Sequence, residues 1–574
     1  MSSLCHNACL HWLPADLLHL LEGFLTPREF LSLLHTSQQL RREYHHLRRL
    51  TLDRKHSLMY TGTSTSTYTC TKNIIEFQVH VKSIIRDSRK QLLLNMSHSY
   101  SSDSNQTHCC DILDHINVVK DVYSLNLSNC KSVSDVKDFG SIHSLDLSRC
   151  ENVSDVSALG GVHYLNLQRC KNVSDVSALG RVHELDLSYC NVSDVSALGS
   201  VHTLTMFCCD SLTDVSALGG VNTLNLASCL HISDVSALKD VYNLNLGGCF
   251  NITDVSALGG VHSLSLRSCR KVSDVSSLRC VHTLNLSQCD MVSDVSALGG
   301  VHTLQLSHCR NVSDVSALGG VHTLLLSHCR NISDVSALGG VHTLDISSCE
   351  NISDVSALGG VYQLNLSRSR VSDVSALGSV HSLNLSKCRL ITDVSSLGGV
   401  HTLNLSECHN VSDFSALGDV YHLDLSDCRI SDVRPLGGVH KLNLSRCRSV
   451  SDVCWLKDAY CLNLAHCRKV FNVSTLGAVH TLDLSGCRMS NISALGGVRV
   501  LNLTGCRNVS DVSALGGVHD LNLSNCIKVK DVRSLGGVYK LNLRGCENVS
   551  NASCLGNVSY LKLPDCREWT YNSV

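Results

Sequence analysis

Aromatic residues make up only 4% of this 574-residue chain, and it has only 4 prolines. With 43% of residues apolar and few large rings, the core must be built from Leu, Val, Ala and Cys. Charge of one sign is also missing. The 48 Lys and Arg residues nearly balance 50 Asp and Glu, for a net charge of −2, which argues against a nucleic-acid-binding or polybasic membrane protein. No apolar run approaches the ~20 residues needed to cross a bilayer, so no spanning helix is predicted. Met1 to Trp12 has no basic stretch leading into an apolar one, so no signal peptide is predicted. The chain exceeds the size of one ordinary core, so several domains or a repeat array are expected. Two residue types are abundant, with 38 Gly and 32 Cys.

Self-comparison explains both. Residues 301–320 read VHTLQLSHCRNVSDVSALGG and 321–340 read VHTLLLSHCRNISDVSALGG, differing only at Gln305/Leu325 and Val312/Ile332. The unit recurs from Leu125 to Leu561 as 23 strand cores spaced 19 or 20 residues apart. Short units lose their residue just after the LxLxx segment, where a loop tolerates the loss and a strand would change register. Leu304 and Leu306 alternate with Thr303, Gln305 and Ser307, the pattern of a strand with one buried face. One unit cannot bury its apolar side alone, so stacked units with parallel strands along one face are expected.

Stacking turns each repeat position into a ladder. The cysteine column runs from Cys130 to Cys566, broken only by Ser369. Parallel ladder side chains have poor geometry for S–S bonds, and no CxxC pairs recur for a metal. The column therefore reads as small buried thiols whose S–H meets a backbone carbonyl, implying a reducing, cytoplasmic compartment. Recurrent sequons such as Asn126-Leu127-Ser128 lie inside the packed unit and also argue against secretion. Asp155, Asp175, Asp314 and Asp334 precede VSAL and are expected to cap the following turn; a calcium ladder would need a glycine-rich nonapeptide, which is missing. The column after the first Val is His in 14 of the 23 units and Tyr in six, predicting a ring ladder that acid should loosen.

The pattern VxxLxLxxCxx(V/I)(S/T)D resembles the leucine-rich repeat, in the cysteine-containing subtype found in F-box proteins. VSALGG is similar to the short backs of bacterial internalin-type repeats. The resemblance implies an α/β-type solenoid over 122–566 with a parallel sheet on one face and extended or 3₁₀ backs. Residues 567–574 are then a tail, with Trp569 and Tyr571 covering the last layer. The outward strand residues are small and polar, so the irregular ones are the candidate target contacts: Tyr189, Phe207, Arg267, Leu325, Arg368, Arg446 and Tyr560. Lys441, Arg544 and Lys562 depart similarly. Arginines follow the cysteine column at 310, 330, 389, 429, 448, 468, 488 and 507, either a basic rim for an acidic partner or a solvated edge.

Residues 1–50 break the repeat. LPADLLHLLEGFL (13–25) has Pro14 in a first helical turn and an apolar stripe at Leu17, Leu18, Leu21 and Leu25. Thr26-Pro27-Arg28-Glu29 forms a capping box, and a third helix is expected after Thr36-Ser37. These residues resemble the F-box, the module that binds the Skp1 adaptor of cullin-type ubiquitin ligases, with Leu40 departing where an aromatic is common. The resemblance implies that Leu13, Pro14, Leu17, Leu18, Leu21, Phe24, Leu25 and Leu31 contact a Skp1-like adaptor or hold the helices. A small all-α F-box-like domain followed by leucine-rich repeats looks like a ubiquitin-ligase substrate receptor. It is also similar to the repeat-expanded families of giant DNA viruses. Residues 51–121 read as Ser/Thr-rich loops with worn repeats at Leu50-Thr51-Leu52 and Leu94-Asn95-Met96.

No nucleophile is paired with a base and an oxyanion loop, so no catalytic residue is assigned and no metal or cofactor is predicted. Cys5, His6, Cys9 and His11 have no second ligand pair at zinc-finger spacing. The expected function is a protein-interaction scaffold that recruits an unknown target to a Skp1–cullin complex. The alternative is a structural or decoy solenoid whose N-terminal helices are only a cap; a surface adhesin fits the cysteine column least. Thiol titration in denaturant without reductant should find nearly all 32 cysteines reactive. Ten or more disulfides in protein isolated under alkylating conditions would overturn the reducing-compartment argument.

Overall fold

A computed structural model describes residues 123–549 and 551–563, together with backbone strands at Arg49–Asp53 and Gln91–Asn95. The F-box-like helices, the remainder of 51–121 and the tail from Pro564 lie outside the described residues. The chain divides into two compact units, Met1–Lys271 and Val272–Val574.

In the first unit, strands follow in chain order from Arg49–Asp53 through Gln91–Asn95 and Ser124–Asn126 to Ser263–Ser265. Each pairs in parallel with the next. Leu94 pairs with Leu125, the register expected from reading Leu94 as a worn repeat, whereas Leu52 rather than Leu50 pairs with Leu94. In the second unit the same order runs from Thr283–Asn285 to Tyr560–Lys562, with leucine opposite leucine throughout. Every helical segment among the described residues is a short 3₁₀ turn on the back, such as Ser157–Gly161 or Ser316–Gly320. Both units are thus leucine-rich-repeat solenoids with short backs.

One repeat shows why these residues fold this way. Ser144–Asp146 is a strand whose Leu145 and Leu147 point inward and are buried. It ends because the Asp146 carboxylate accepts the Ser148 N–H at 2.9 Å, an Asx turn that competes with further strand. Arg149 then adopts φ 62°, and its N–H donates to Gln168 O of the next repeat at 2.7 Å. Left-handed geometry costs a non-glycine residue about 1–2 kcal/mol. It recurs in nearly every unit, at positions as varied as Tyr189, Gln288, His328 and Glu407. The hydrogen bond to the next repeat is what holds it there. The Cys150 N–H closes the turn on Leu147 O at 3.0 Å. Asp155 then accepts the Ser157 N–H at 2.9 Å and starts the 3₁₀ turn, the capping expected of the Asp column. The turn buries Leu159 and closes with the Val162 N–H on Leu159 O at 3.0 Å.

The interior is continuous within each unit. In repeat 301, Val301, Leu304, Leu306, Cys309, Val312, Val315 and Leu318 are all buried. The cysteine column lies beneath the turn, and each thiol reaches across to the preceding repeat. Cys329 Sγ donates to Leu306 O at 3.1 Å, and Cys170 Sγ to Leu147 O at 3.1 Å. The acceptor is therefore the end of the neighbouring strand and not the thiol's own turn. That carbonyl already accepts one backbone N–H, from Cys309 at 3.0 Å, so the thiol supplies its second bond. Burial pushes the thiols up, Cys309 to about 11 and Cys408 to about 12, so they remain protonated donors. Ser369 occupies the same buried position and bonds Cys388 Sγ at 3.4 Å.

The ring column is a stack. In the second unit eleven rings from His282 to His480 succeed one another at 4.4–4.9 Å, with tyrosines at 362, 421 and 460. That spacing equals the distance between parallel strands, so the ladder imposes the contact. In the first unit the stack runs from His163 to His202, and His143 meets His163 edge-on at 4.6 Å. Partial desolvation, then the charges of His342 and His302, lower the pKa of His322.

Two outcomes are expected. Leu324→Ala, at a fully buried site, should cost about 2–5 kcal/mol, while Cys329→Ser, mimicking Ser369, should cost less than about 1.5 kcal/mol in chemical denaturation. For pH, a lowered histidine pKa means that the unfolded chain binds more protons than the folded one below about pH 6.5. The stabilisation is present above that pH and lost as pH falls through the folded value. The melting midpoint should drop between about pH 7.5 and 5.5, and His322→Asn with His342→Asn should flatten the slope. An unchanged midpoint across that range would remove the stack from the stability of the array.

Candidate functional site

The side chains free to meet a partner stand on the strand face and on the turn that follows it. The strand face is less available than alternation alone implies. Asn404, expected to point outward, is half-buried and accepts the Ser406 N–H at 2.9 Å, and Asn365 Nδ2 donates to Asp345 Oδ2 at 3.1 Å. The Asn/Asp column is thus occupied in forming turns and bridging repeats. The freer positions are the residue before each strand leucine, the left-handed residue, and the rim residue after the cysteine.

The seven candidate contacts fall on several of these columns. In the first unit Tyr189 and Phe207 come together in an edge contact at 5.4 Å between ring centroids. The Arg169 guanidinium lies 4.4 Å above the Tyr189 ring. Buried Ser188 accepts the Phe207 N–H at 3.2 Å and fixes the backbone beneath. This Arg–Tyr–Phe group is a compact amphipathic anchor of the kind that interfaces favour. Sequence reasoning missed Arg169, although it occupies the column of Tyr189 one repeat earlier. Arg267 is exposed in the same unit and stands apart from that group. In the second unit Leu325 is half-buried, and Arg368 and Arg446 are exposed left-handed residues in separate repeats. Tyr560 is exposed and meets Tyr539 at 5.4 Å. These four do not form one group. Leu13, Pro14, Leu17, Leu18, Leu21, Phe24, Leu25 and Leu31 lie outside the described residues.

The second unit contains one further feature, an open groove of about 1100 Å³. Its lining includes His466, Gly486, Gly505, Arg468, Arg488 and Arg507. Gly486 and Gly505 hold the left-handed position, at φ 70° and 68°, in consecutive repeats. Most units carry a side chain there, and at Gly505 its absence leaves a gap. The His466 ring leans over Gly486, since a Cβ there would lie 2.3 Å from its Nδ1. At Gly505 a Cβ would meet nothing. The sequence signal was present, in SGC at 485–487 and TGC at 504–506, but reads as relaxed turn chemistry until the ladder is assembled. Among the described residues, no group of three His, Cys, Asp or Glu side chains is placed to hold a metal ion, and no helix is long and apolar enough to cross a membrane.

No protein-family model matches the chain, and no curated protein matches it. Several solved structures are similar at low identity. The functional domain of internalin InlJ from Listeria monocytogenes, described as including a cysteine ladder, is 17% identical over 64% of this chain and 70% of its own, with a TM-score of 0.31. An internalin InlF from the same organism is 19% identical over 65% and 89%, with a TM-score of 0.24. A leucine-rich-repeat protein of Leptospira interrogans is 13% identical over 75% and 91%, with a TM-score of 0.32.

Proposed function

We propose that the chain is a non-catalytic protein-interaction scaffold in the cytoplasm. In the finer form of this reading, residues 1–50 are an F-box that engages a Skp1-like adaptor and cullin, and the repeats present a target for ubiquitination. The observation that carries the scaffold reading is the Arg169–Tyr189–Phe207 group, which with exposed Tyr164 and Tyr560 interrupts a mostly small, polar strand face. The Leu, Val and Cys columns already fill the interior, so the ladder needs no outward aromatic pair for its own stability. The F-box part rests on the 13–31 motif alone. The dull Ser/Thr face elsewhere favours a second reading, a purely structural solenoid capped by its N-terminal helices.

The adaptor interface would be apolar. Burying one leucine contributes on the order of 1.5–3 kcal/mol, so Leu17, Leu21 and Leu25 together would supply much of a sub-micromolar interface. The full-length protein should recover Skp1 and a cullin from eukaryotic lysate. Leu17→Asp with Leu21→Asp should abolish recovery while the repeat melt is unchanged, because the array has its own core. Failure of the wild type, where a known F-box protein succeeds, defeats the receptor reading. A double variant that also melts the array makes these helices a cap.

A further inference from the structure

The basic groove in the second unit has properties that the rest of the ladder lacks. The rim column carries exposed arginine in five consecutive repeats, at 429, 448, 468, 488 and 507, and the last three line the groove. Among the described residues none of these five is in an ion pair, whereas Arg330, Arg434 and Arg533 each have a carboxylate partner. Like charges stacked one strand spacing apart repel, so the array has no intrinsic reason to assemble them. The remaining groove residues add polar groups. Thr504 Oγ1 donates to Asn502 Oδ1 at 2.6 Å, and Asn508 Nδ2 donates to Arg488 O at 2.9 Å, so both are committed within the array. Ile527 and Asn525 line the far side, and a glutamate, Glu547, stands in the rim column one repeat beyond Ile527. The arginine run thus ends at Arg507, one repeat before the groove's far wall at Ile527.

We infer that the notch over Gly505, flanked by Arg468, Arg488 and Arg507, takes a carboxylate side chain from an acidic, extended segment of a protein partner. The guanidinium fork matches a carboxylate in bidentate geometry. The notch gives that side chain room beside the backbone, and Gly505, which has nothing within 4 Å of where a Cβ would stand, lets the segment approach closely. A single-stranded nucleic acid would need aromatic platforms for its bases, and His466 is the only ring in the lining. This assignment rests on the scaffold reading and names the chemistry of its partner.

The test uses the full-length protein and a fluorescent octaglutamate peptide, read by anisotropy at low salt, with an oligouridylate of equal length alongside. Octaglutamate should bind, more weakly as salt rises. Gly505→Asn fills the notch with a residue that already holds this backbone geometry at Asn525. It should weaken binding by about tenfold or more, as should Arg488→Gln with Arg507→Gln. Arg310→Gln with Arg389→Gln, in the same rim column but outside the groove, should leave affinity unchanged. No binding by the wild type, equal loss from the 310/389 pair, or equally tight oligouridylate binding would each overturn the assignment. Skp1 recovery by the same preparations separates the two conclusions. If Skp1 is recovered and octaglutamate is not bound, the notch fails and the receptor reading stands. If the peptide binds at the notch and no Skp1 is recovered, the reverse holds.

Discussion

Each repeat hands its unpaired backbone groups to the next one. The N–H of Leu147 donates to Asn166 O at 2.8 Å, the left-handed Arg149 donates to Gln168 O, and the Cys170 thiol donates back to Leu147 O. A buried amide or carbonyl left without such a partner costs about 1–3 kcal/mol. A 20-residue unit has too little core to offset several of these, so it exists only in register with its neighbours. The identity of the columns follows from that requirement. A residue that satisfies the bond in one repeat satisfies it in all, and every departure is felt by two neighbours.

The same constraint determines where variation is allowed. Inward positions are filled by Leu, Val, Ile and Cys almost without exception. The Asn/Asp column looks outward by alternation, yet its oxygens are committed to backbone N–H groups, as in Asp146 to Ser148 and Asn404 to Ser406. The left-handed column has its backbone bonded, and its side chains stand outside the packed core. It accordingly holds Arg, Tyr, His, Ser, Gln, Glu and Gly in different repeats. Both features with the chemistry to recognise a partner use that column. In the first unit Arg169 and Tyr189 fill it with stacked bulk, and in the second Gly505 empties it in a groove lined by Arg468, Arg488 and Arg507. A protein built from near-identical units thus acquires local character where its backbone demands least of the side chain.

The thiol column shows how a reactive residue can serve a purely structural purpose. Burial raises thiols such as Cys309 and Cys408 well above neutrality, which suppresses the thiolate that would oxidise or bind metal. What remains is a small apolar residue with one weak donor, long enough to reach the neighbouring strand end. Ser369 makes a related bond at the same depth with a different atom. The ring column is a second consequence of fixed spacing. Rings of neighbouring repeats stack because strand separation places them at contact distance, and a proton on one of them meets a ring on each side.

The sequence by itself determined the repeat length, the strand positions, the buried columns, the parallel order and the short backs. All of these depend on residues within one unit and on the need to cover its apolar side, and periodicity records both directly. The Asp cap before VSAL and the hydrogen-bonded cysteine were legible for the same reason, although the thiol's acceptor proved to lie one repeat away. Tertiary structure alone decided what happens between units. The left-handed residue before each cysteine was invisible because Arg149, Tyr189 and Glu407 carry no local signal for positive φ, and a bond to the next repeat imposes it. The grouping of Arg169 with Tyr189 and Phe207, and the gap over Gly505, likewise arise only when residues 19 to 20 positions apart in sequence are brought to one strand spacing in space.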